Sequence, residues 1–279
     1  TTLPLAVIFL SHVQHPPGHP MSNIHPTAII EEGAQLDPSV SVGPFSIIES
    51  GAVIGPDCII ESCVRIFSPV RMGSGNRICH GAALGCEPQD LGYTPEKSKP
   101  MIIGNHNHFK ENVNISRGVK TSEGTIIGDN NYFMSGFHAG HDVIIGSHNI
   151  FTSNAVVAGH VVMGDRIFLS GLAAVHQFVN IGDYAMIAGC AKVTKDIPPY
   201  TTADGNPARI IGLNSVGLRR GGFSSEARKA IKKTYQTIYH SGHNVSQALA
   251  VLEGNIYSEE EERIAAFFLN SERGVTAHK

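Results

Sequence analysis

The chain has 279 residues, enough for one large domain and a smaller one. Charged residues make up only 16% of the sequence, the formal net charge is -3, glycine occurs 30 times and tryptophan is absent. This balance excludes a strong overall field that would attract nucleic acid or an anionic membrane, so no nucleic-acid partner and no stable membrane insertion are expected. The composition is typical of a repetitive β structure in which Gly, Asn and Asp turn the corners.

The first twenty residues are predicted to take no part in the fold. Residues 3–10 are apolar but too short to cross a bilayer, and they lack the basic flank and the cleavage site of a signal peptide. A proline-rich turn segment follows, and Met21 precedes the first repeat. We therefore interpret residues 1–20 as a disordered N-terminal extension or a cloning remnant, and we expect a cytoplasmic protein.

The cysteines agree with a reducing compartment. They are Cys58, Cys63, Cys79, Cys86 and Cys190. Because their number is odd and no CxxC pair occurs, we interpret them as buried free thiols rather than as disulfides or metal ligands.

From Ile24 onward an apolar residue returns every six positions, without interruption by a charge. The first eleven of these positions are Ile24, Ile30, Leu36, Val42, Ile48, Ile54, Ile60, Ile66, Met72, Ile78 and Leu84. An α-helix needs a period of 3.6 and a plain strand a period of 2, so neither explains a period of six. The repeat predicts a parallel β-helix, in which each short strand contributes one inward side chain to a stacked core.

Two polar segments, 86–101 and 118–124, interrupt this repeat and are predicted to be loops ejected from the coil. Long loops on a rigid scaffold often carry function. After the second loop the repeat runs unbroken to Val193, and two prolines soon end it. We therefore predict an all-β parallel β-helix over residues 21–207 that carries both loops.

Residues 208–279 are predicted to form a small α-helical domain. A helix start is expected at Ser224, and apolar residues recur at helical spacing after it; two further helices are expected over 245–252 and 259–270. Residues 209–233 contain seven basic residues against Glu226 alone, a local charge of +6. A solvated helix face is the usual explanation of such a run, but in a chain of net charge -3 the clustering favours an acidic partner or a phosphate.

The strongest candidate for chemistry is the stretch 136–142, where two histidines and an aspartate interrupt small and aliphatic residues. His141 beside Asp142 offers a general base and a carboxylate that orients it. Gly159 precedes His160, and its backbone N–H suits a developing oxyanion. No motif marks a covalent nucleophile, so direct attack by a substrate hydroxyl activated by histidine is favoured.

Two other readings of these histidines stay open. A single histidine on a strand face is more often structural than catalytic, although the pair His138 and His141 favours a site. Three nitrogens from His138, His141 and His160 are also a possible zinc set. No Cys or Glu accompanies them at a usual ligand spacing, so no metal and no cofactor are expected.

Several ordered motifs identify a family. They are Ile24–Ala28, Gln89–Leu91, Ser116–Gly118, His138–Asp142, Ala158–His160, Ala174–Phe178, Asp196–Tyr200, Leu213–Asn214 and Gly217–Arg220. Together they resemble the bacterial acyl-ACP:UDP-N-acetylglucosamine O-acyltransferases, which catalyse the first step of lipid A synthesis. The resemblance covers residues 21–275. Hexads alone are shared by many acyltransferases, whereas the ordered histidine motifs with both loops are specific.

The resemblance implies a left-handed parallel β-helix and a homotrimer with active sites in clefts between neighbouring subunits. It implies transfer of an (R)-3-hydroxyacyl chain from acyl carrier protein to the glucosamine 3-position of UDP-N-acetylglucosamine. His141 would be the general base, Asp142 its support and Gly159 N–H the oxyanion donor. The basic segment 209–233 would meet the acidic carrier protein.

The resemblance also implies a set of substrate-binding residues. Those near the sugar are Gln89, Asp90, His138 and His160; those near the UDP part are Gln177, Asn214 and Arg220. Gly189 would form the floor of the acyl groove, where glycine leaves room for a longer chain.

Three positions depart from the family pattern. Gly92 stands where a lysine is common and removes a cation beside the sugar, Val216 replaces a frequent acidic residue, and Gly221 replaces a second arginine. These changes leave open whether the acceptor is the 3-hydroxy sugar or its 3-amino analogue. Either acceptor needs a base, so His141 keeps its role.

Three alternative functions remain. The related N-acyltransferase of the same pathway carries an extra N-terminal domain, for which no room is expected before Ile24. A β-helix carbonic anhydrase would contain about one equivalent of zinc shared between subunits. A passive β-helix scaffold would need neither the polar loops nor the basic helices.

Overall fold

The structure is a computed structural model that describes residues 23–254 and 258–279. The predictions for residues 1–20 lie outside these ranges. Within them, short strands wind into coils, and successive strands join three different sheets. All strand pairs are parallel except the last, an antiparallel hairpin. The predicted left-handed parallel β-helix with a small helical C-terminal region is confirmed.

The three sheets, which we name face 1, face 2 and face 3, receive the strands in rotation. Face 1 contains β1 (Ile29–Ile30), β4 (Ile47–Ile48), β7 (Arg65–Ile66), β10 (Ala83–Cys86), β13 (Asn114–Ser116), β16 (His138–Ala139), β19 (Val156–Val157), β22 (Ala174–Val175) and β25 (Lys192–Val193). Face 2 contains β2 (Gln35–Leu36), β5 (Val53–Ile54), β8 (Val70–Met72), β11 (Met101–Ile103), β14 (Thr125–Ile127), β17 (Ile144–Ile145), β20 (Val162–Met163) and β23 (Asn180–Ile181). Face 3 contains β3 (Ser41–Val42), β6 (Ile59–Ile60), β9 (Arg77–Ile78), β12 (His108–Phe109), β15 (Tyr132–Phe133), β18 (Ile150–Phe151), β21 (Phe168–Leu169), β24 (Met186–Ile187), β26 (Thr201–Gly205) and β27 (Ala208–Leu213).

Because three hexads make one uninterrupted coil, residues 18 positions apart stack on each other. His138 pairs with Val156, and Ala139 pairs with Val157. The second residue of each pair of strand residues points inward, and the hexad positions are buried from Val42 to Val193. The predicted core is therefore confirmed over this range. Ile24 stays 38% exposed because no coil precedes it among the described residues.

A ladder of buried asparagines lines the corner before face 3. The backbone N–H of Asn107 donates to Asn76 Oδ1, that of Asn131 to Asn107 Oδ1, and that of Asn149 to Asn131 Oδ1, each at 2.9 Å. The side-chain amide of Asn131 also donates to the Gly146 carbonyl at 2.9 Å. Each amide thus satisfies buried backbone groups that the short strands leave unpaired.

Left-handed corner residues explain where the cysteine prediction fails. The second residue of most turns has φ near +60°, with 56° at Cys63 and 60° at Cys190. Both thiols are exposed, because side chains at this position leave the core. Cys58 and Cys79 are buried and Cys86 is half-buried. The prediction of buried thiols is therefore wrong for Cys63 and Cys190.

Both insertions leave the coil from one edge. Residues 87–100 connect β10 on face 1 to β11 on face 2, and residues 117–124 connect β13 to β14 between the same faces. On the next coil, the turn at residues 140–143 connects β16 to β17, again between these faces. We call this corner of the coil the 1–2 edge. It collects both loops and the histidine-aspartate motif in consecutive layers.

In the part of the chain that the structure describes, four helices follow the last strands: α1 (Ser215–Arg220), α2 (Ser225–His240), α3 (Val245–Glu253) and α4 (Glu259–Leu269). The side chains of Ser224, Asn244 and Ser258 accept first-turn N–H groups and cap α2, α3 and α4. The three predicted helices are confirmed. The short α1 was not predicted, because six residues that include Gly217 show no helical period. Among the described residues, no helix is both long enough and apolar enough to cross a bilayer.

The predicted domain boundary between residues 207 and 208 falls inside the β26–β27 hairpin, and the division into domains stays a prediction. The helices pack against the end of the coil. The Tyr235 hydroxyl donates to the Pro199 carbonyl at 2.6 Å, and Arg263 forms an ion pair with Asp183.

The asparagine ladder gives a first prediction. Replacing Asn131 by Leu, which has a similar volume, is expected to destabilise the coil by about 3 kcal/mol. The change leaves the Asn149 N–H without its acceptor and the Gly146 carbonyl without the Asn131 amide donor, and a buried unpaired polar group costs about 1–3 kcal/mol. Thermal and urea unfolding of the purified variant measure this loss.

The matched control is Asn23→Ala, which removes an exposed amide that donates to the Pro38 carbonyl at 2.9 Å. It is expected to change stability by less than about 1 kcal/mol. Equal losses for both variants would contradict the role assigned to the ladder.

Candidate active site

The 1–2 edge stacks three polar layers at the coil's regular spacing. The turn His141–Asp142 lies under Gly159–His160, and this turn lies under Gln177–Phe178. Asp142, His160 and Phe178 all occupy the left-handed corner position, with φ of 57°, 61° and 64°. The repeat that builds the core therefore also aligns the candidate site residues in one column.

Asp142 is the most enclosed group of this edge, with a fully buried side chain. Its carboxylate accepts the backbone N–H groups of Val119, Lys120 and Thr121 at 3.0–3.2 Å and the Thr121 hydroxyl at 2.8 Å. Burial alone would raise the pKa of Asp142, but these hydrogen bonds and the one from His141 outweigh it and lower the pKa to about 2. The second insertion thus folds as a cradle around a permanent negative charge.

His141 is held by this carboxylate. Its Nδ1 lies 2.7 Å from Asp142 Oδ2, so the ring donates from Nδ1 and leaves Nε2 as the acceptor. Nε2 lies 3.9 Å from Asp90 Oδ2, and the side chain is 14% exposed. The buried Asp142 carboxylate therefore orients the imidazole, and Nε2 faces the first insertion and solvent.

His160 lies beside His141. Its ring meets that of His141 edge to face at 5.0 Å and stacks on Phe178 at 4.6 Å. Within the described part of the chain, His160 Nε2 is buried without a hydrogen-bond partner, and Asp142 Oδ2 is 3.9 Å away. Burial lowers the pKa of His160, which favours its neutral form. An unpaired buried nitrogen is costly to maintain.

Glycine keeps the space next to His141 open. A Cβ on Gly159 would lie 3.1 Å from His141 Nε2, and one on Gly140 would lie 2.7 Å from the Gly159 nitrogen. Any larger residue would press on the imidazole or on the neighbouring turn. The His160 N–H donates to the His141 carbonyl at 3.0 Å, which ties the two turns together.

A buried arginine anchors the first insertion. The Arg117 guanidinium donates to the carbonyls of Ser68 and Gly85 at 3.2 and 3.1 Å, to Ser98 Oγ at 3.2 Å, and to the Tyr93 hydroxyl. Its side chain is only 8% exposed. These contacts fasten the loop to the coil and so fix the segment that carries Asp90.

The structure brings together seven of the predicted site residues and separates four. The seven on the 1–2 edge or its loops are Gln89, Asp90, His141, Asp142, Gly159, His160 and Gln177. His138 points outward from face 1, where its Nδ1 contacts Asn114 at 3.0 Å.

The remaining three predicted residues lie at other edges of the coil. Gly189 is in the turn from face 3 to face 1. Asn214 caps α1 and donates to the carbonyl of Tyr184, in the turn from face 2 to face 3, at 2.8 Å. Arg220 ends α1 and is exposed. One chain alone therefore does not gather the whole predicted set.

The residues that could bind a metal in the structure differ from the three histidines suggested by the sequence. The ligand atoms of His141, Asp142 and His160 lie within 4.8 Å of one another. His138 is not in this group. Because the Asp142 oxygens already accept several N–H groups and His141 Nδ1, a metal would have to displace existing hydrogen bonds.

Sequence reasoning missed the partners that come from the loops. The backbone cradle at 119–121, the Arg117 anchor and the Lys120 ammonium all lie where the hexad repeat is interrupted. The Ser116-Arg-Gly118 motif was the available signal for the anchor. The sequence contained Phe178 in the Ala174–Phe178 motif but did not predict that it stacks on His160.

Known proteins resemble this chain in sequence. A family model described as UDP N-acetylglucosamine O-acyltransferase, domain 2, matches residues 196–276. The chain is 40% identical over 261 residues to an acyl-[acyl-carrier-protein]–UDP-N-acetylglucosamine O-acyltransferase of Paraburkholderia xenovorans, covering 91% of this chain and 99% of the relative. A relative of the same name from Syntrophobacter fumaroxidans is 38% identical, with 90% and 98% covered.

Solved structures resemble it in fold. LpxA from Acinetobacter baumannii superposes with a TM-score of 0.88 at 36% identity, covering 91% of this chain and 99% of that one. LpxA from Bacteroides fragilis, a UDP-N-acetylglucosamine acyltransferase, gives a TM-score of 0.86 at 39% identity, with 90% and 98% covered.

The Asp142 cradle gives the second prediction. In Asp142→Asn one of the two accepting oxygens becomes an NH2 group and the negative charge is lost, so the remaining oxygen cannot satisfy all the donors of 119–121 and His141. Amide hydrogen exchange at residues 119–121 is expected to accelerate about tenfold or more, because losing about 1.4 kcal/mol of local stability is a factor of ten.

The control is Asp165→Asn, at a turn between face 2 and face 3, where the carboxylate accepts the Ser147 N–H at 2.7 Å. Exchange at 119–121 is expected to stay unchanged in this variant. Unchanged exchange in Asp142→Asn as well would show that the carboxylate does not hold the loop.

Proposed function

The chain belongs to the acyl-[acyl-carrier-protein]–UDP-N-acetylglucosamine O-acyltransferase family and is an acyltransferase, and from this premise we propose its reaction in detail. It transfers an (R)-3-hydroxyacyl chain from acyl carrier protein to the glucosamine 3-hydroxyl of UDP-N-acetylglucosamine, the first step of lipid A synthesis. The observation that carries the proposal is the buried Asp142–His141 hydrogen bond of 2.7 Å at an edge where Gly159 places no side chain against Nε2. The cytoplasmic location stays an expectation.

His141 acts as the general base. Asp142 fixes the tautomer that leaves the Nε2 lone pair free and stabilises the imidazolium that forms when Nε2 takes the proton. The acceptor oxygen attacks the thioester carbonyl carbon, a C–O bond forms, and the C–S bond then breaks. The departing carrier-protein thiol takes up the proton from His141, so the base is regenerated.

Direct attack fits the nucleophiles that are present. Cys86, at the base of the first insertion, is half-buried, and burial raises the pKa of its thiol. A thiolate is therefore disfavoured there, and a covalent acyl-cysteine step has no support. The Gly159 N–H serves the oxyanion that develops on the thioester carbonyl, because glycine lets that carbonyl approach beside His141.

The active unit is a homotrimer in this proposal. Asn214 and Arg220, assigned to the UDP part, lie at another edge of the coil from His141, so a neighbouring copy must bring them to the cleft. Apolar side chains beside the 1–2 edge support such contacts, because Val156 and Val162 are each 40% exposed.

The acyl carrier protein docks on the basic surface of residues 209–233. The seven basic side chains lie on β27, α1 and α2, and all but the half-buried Arg228 are exposed. Clustered charge of one sign steers an oppositely charged partner and speeds its association.

The third prediction concerns the base. His141→Ala is expected to lower kcat for acyl transfer to UDP-N-acetylglucosamine by about 10³, because proton abstraction by a positioned side chain contributes about 10²–10⁴. Turnover with 3-hydroxyacyl-ACP measures it, together with unfolding and mass in solution. His25→Ala, at an exposed histidine of the first coil, is the control and is expected to keep full activity.

Each other outcome identifies a different function. If the unmodified protein acts on the 3-amino analogue but not on UDP-N-acetylglucosamine, the acceptor assignment is wrong. If neither acceptor reacts and the protein contains about one equivalent of zinc, the carbonic anhydrase alternative replaces the acyltransferase.

The fourth prediction concerns acyl length. A Cβ on Gly189 meets nothing closer than the Gly171 carbonyl at 3.4 Å, so a side chain fits without backbone strain. Gly189→Met is expected to fill the groove floor and lower kcat/KM for long 3-hydroxyacyl chains at least about tenfold relative to short ones. A panel of acyl-ACP substrates measures the ratio. An unchanged preference would remove Gly189 from the groove.

A further inference from the structure

Lys120 is a charged residue at the 1–2 edge that the proposed chemistry leaves without a role. Its Nζ lies 3.2 Å from Asp90 Oδ2, and this oxygen lies 3.9 Å from His141 Nε2. The Lys120 side chain is 61% exposed, whereas that of Asp90 is 21% exposed. The ammonium therefore stands at the open side of the site, one carboxylate away from the base.

The backbone of Lys120 is fixed by the buried Asp142. The Lys120 N–H donates to both oxygens of the buried Asp142 carboxylate at 3.1 Å. The hydrogen bonds to Asp142 therefore fix the Lys120 backbone, and the side chain extends from it to Asp90. The two carboxylates flank His141, so any substrate oxygen that approaches the imidazole enters between two negative charges.

We propose that Lys120 is a substrate-binding residue whose ammonium contacts the anionic nucleotide sugar beside the acceptor hydroxyl while offsetting the charge of Asp90. This inference rests on the proposed function, because a nucleoside diphosphate sugar is the substrate that brings negative charge to this edge. An ammonium has three N–H groups, and Asp90 engages one of them. The others are free to bind phosphate or sugar oxygens, as point-charge lysines do.

Gly92 supports this role through the other oxygen of the Asp90 carboxylate. Its backbone N–H donates to Asp90 Oδ1 at 2.8 Å, and a Cβ built on it would lie 3.4 Å from the same oxygen. Positions 92 and 120 therefore approach one carboxylate from two different loops. The cation that the sequence lacks at position 92 is supplied at this site by the second insertion.

The test uses the full-length protein with Lys120→Met, the relocated-charge variant Lys120→Met with Gly92→Lys, and the control Arg65→Met. Arg65 is a comparably exposed cation, paired with Glu49 at 2.7 Å in the N-terminal coils. Steady-state kinetics with UDP-N-acetylglucosamine and 3-hydroxyacyl-ACP are combined with calorimetric binding of UDP-N-acetylglucosamine. Binding is measured because it reports on Lys120 independently of turnover.

Lys120→Met is expected to raise both KM and Kd for UDP-N-acetylglucosamine at least about tenfold, with kcat and KM for acyl-ACP changed less than about threefold. Unfolding should be unaffected, because the backbone N–H that holds Asp142 remains. Gly92→Lys in the same chain should recover most of the lost affinity, and Arg65→Met should match the unmodified protein.

Two results would overturn the inference: a KM and Kd within twofold of the unmodified protein, or a loss that Gly92→Lys fails to recover. Failure of the proposed function looks different. In that case the unmodified protein does not turn over UDP-N-acetylglucosamine, and the binding comparison still decides whether Lys120 contacts a nucleotide sugar.

Discussion

Parallel register is the constraint on which the rest of this molecule depends. Because each strand pairs with the strand one coil away, a residue's neighbours in space are set by counting 18 positions wherever no insertion intervenes. The core forms in this way, with the rings of Phe133 and Phe151 stacked 4.8 Å apart. The same counting places Gly159 over His141 and His160 over Asp142. Core and site therefore share one geometrical cause.

The insertions matter because they break this register at a single edge. A regular turn of this coil is too short to surround a side chain, yet Asp142 accepts three backbone N–H groups and a hydroxyl. These donors come from the longer connection between β13 and β14. The scaffold supplies the position of the carboxylate, and the loop supplies the partners that keep it charged while buried.

This division explains what the sequence could predict. The period of six predicted the coil and the inward residues from Val42 to Val193, because one repeated physical requirement acts at every position. Inside the insertions no period operates, so the contacts of Arg117 and Lys120 had no signal in the spacing. Corner backbone geometry was equally invisible, which is why Cys63 was wrongly expected to be buried. Asn214 and Arg220 were predicted from motifs alone, and they lie at another edge of the coil from His141.

The position of charge at this edge places different demands on the sequence than the hydrogen bonds do. An ammonium changes the electrostatic potential at Asp90 and His141. The size of this effect depends on the distance of the charge and not on which loop carries the lysine. The Lys120 ammonium lies 3.2 Å from Asp90 Oδ2, while the Gly92 backbone N–H donates to Oδ1 of the same carboxylate. The hydrogen bond between His141 and Asp142 requires both residues at fixed positions in the sequence. Moving either residue by one position would turn its side chain in another direction. A compensating charge can therefore be carried by either loop, whereas His141 and Asp142 are held in the coil by their hydrogen bond.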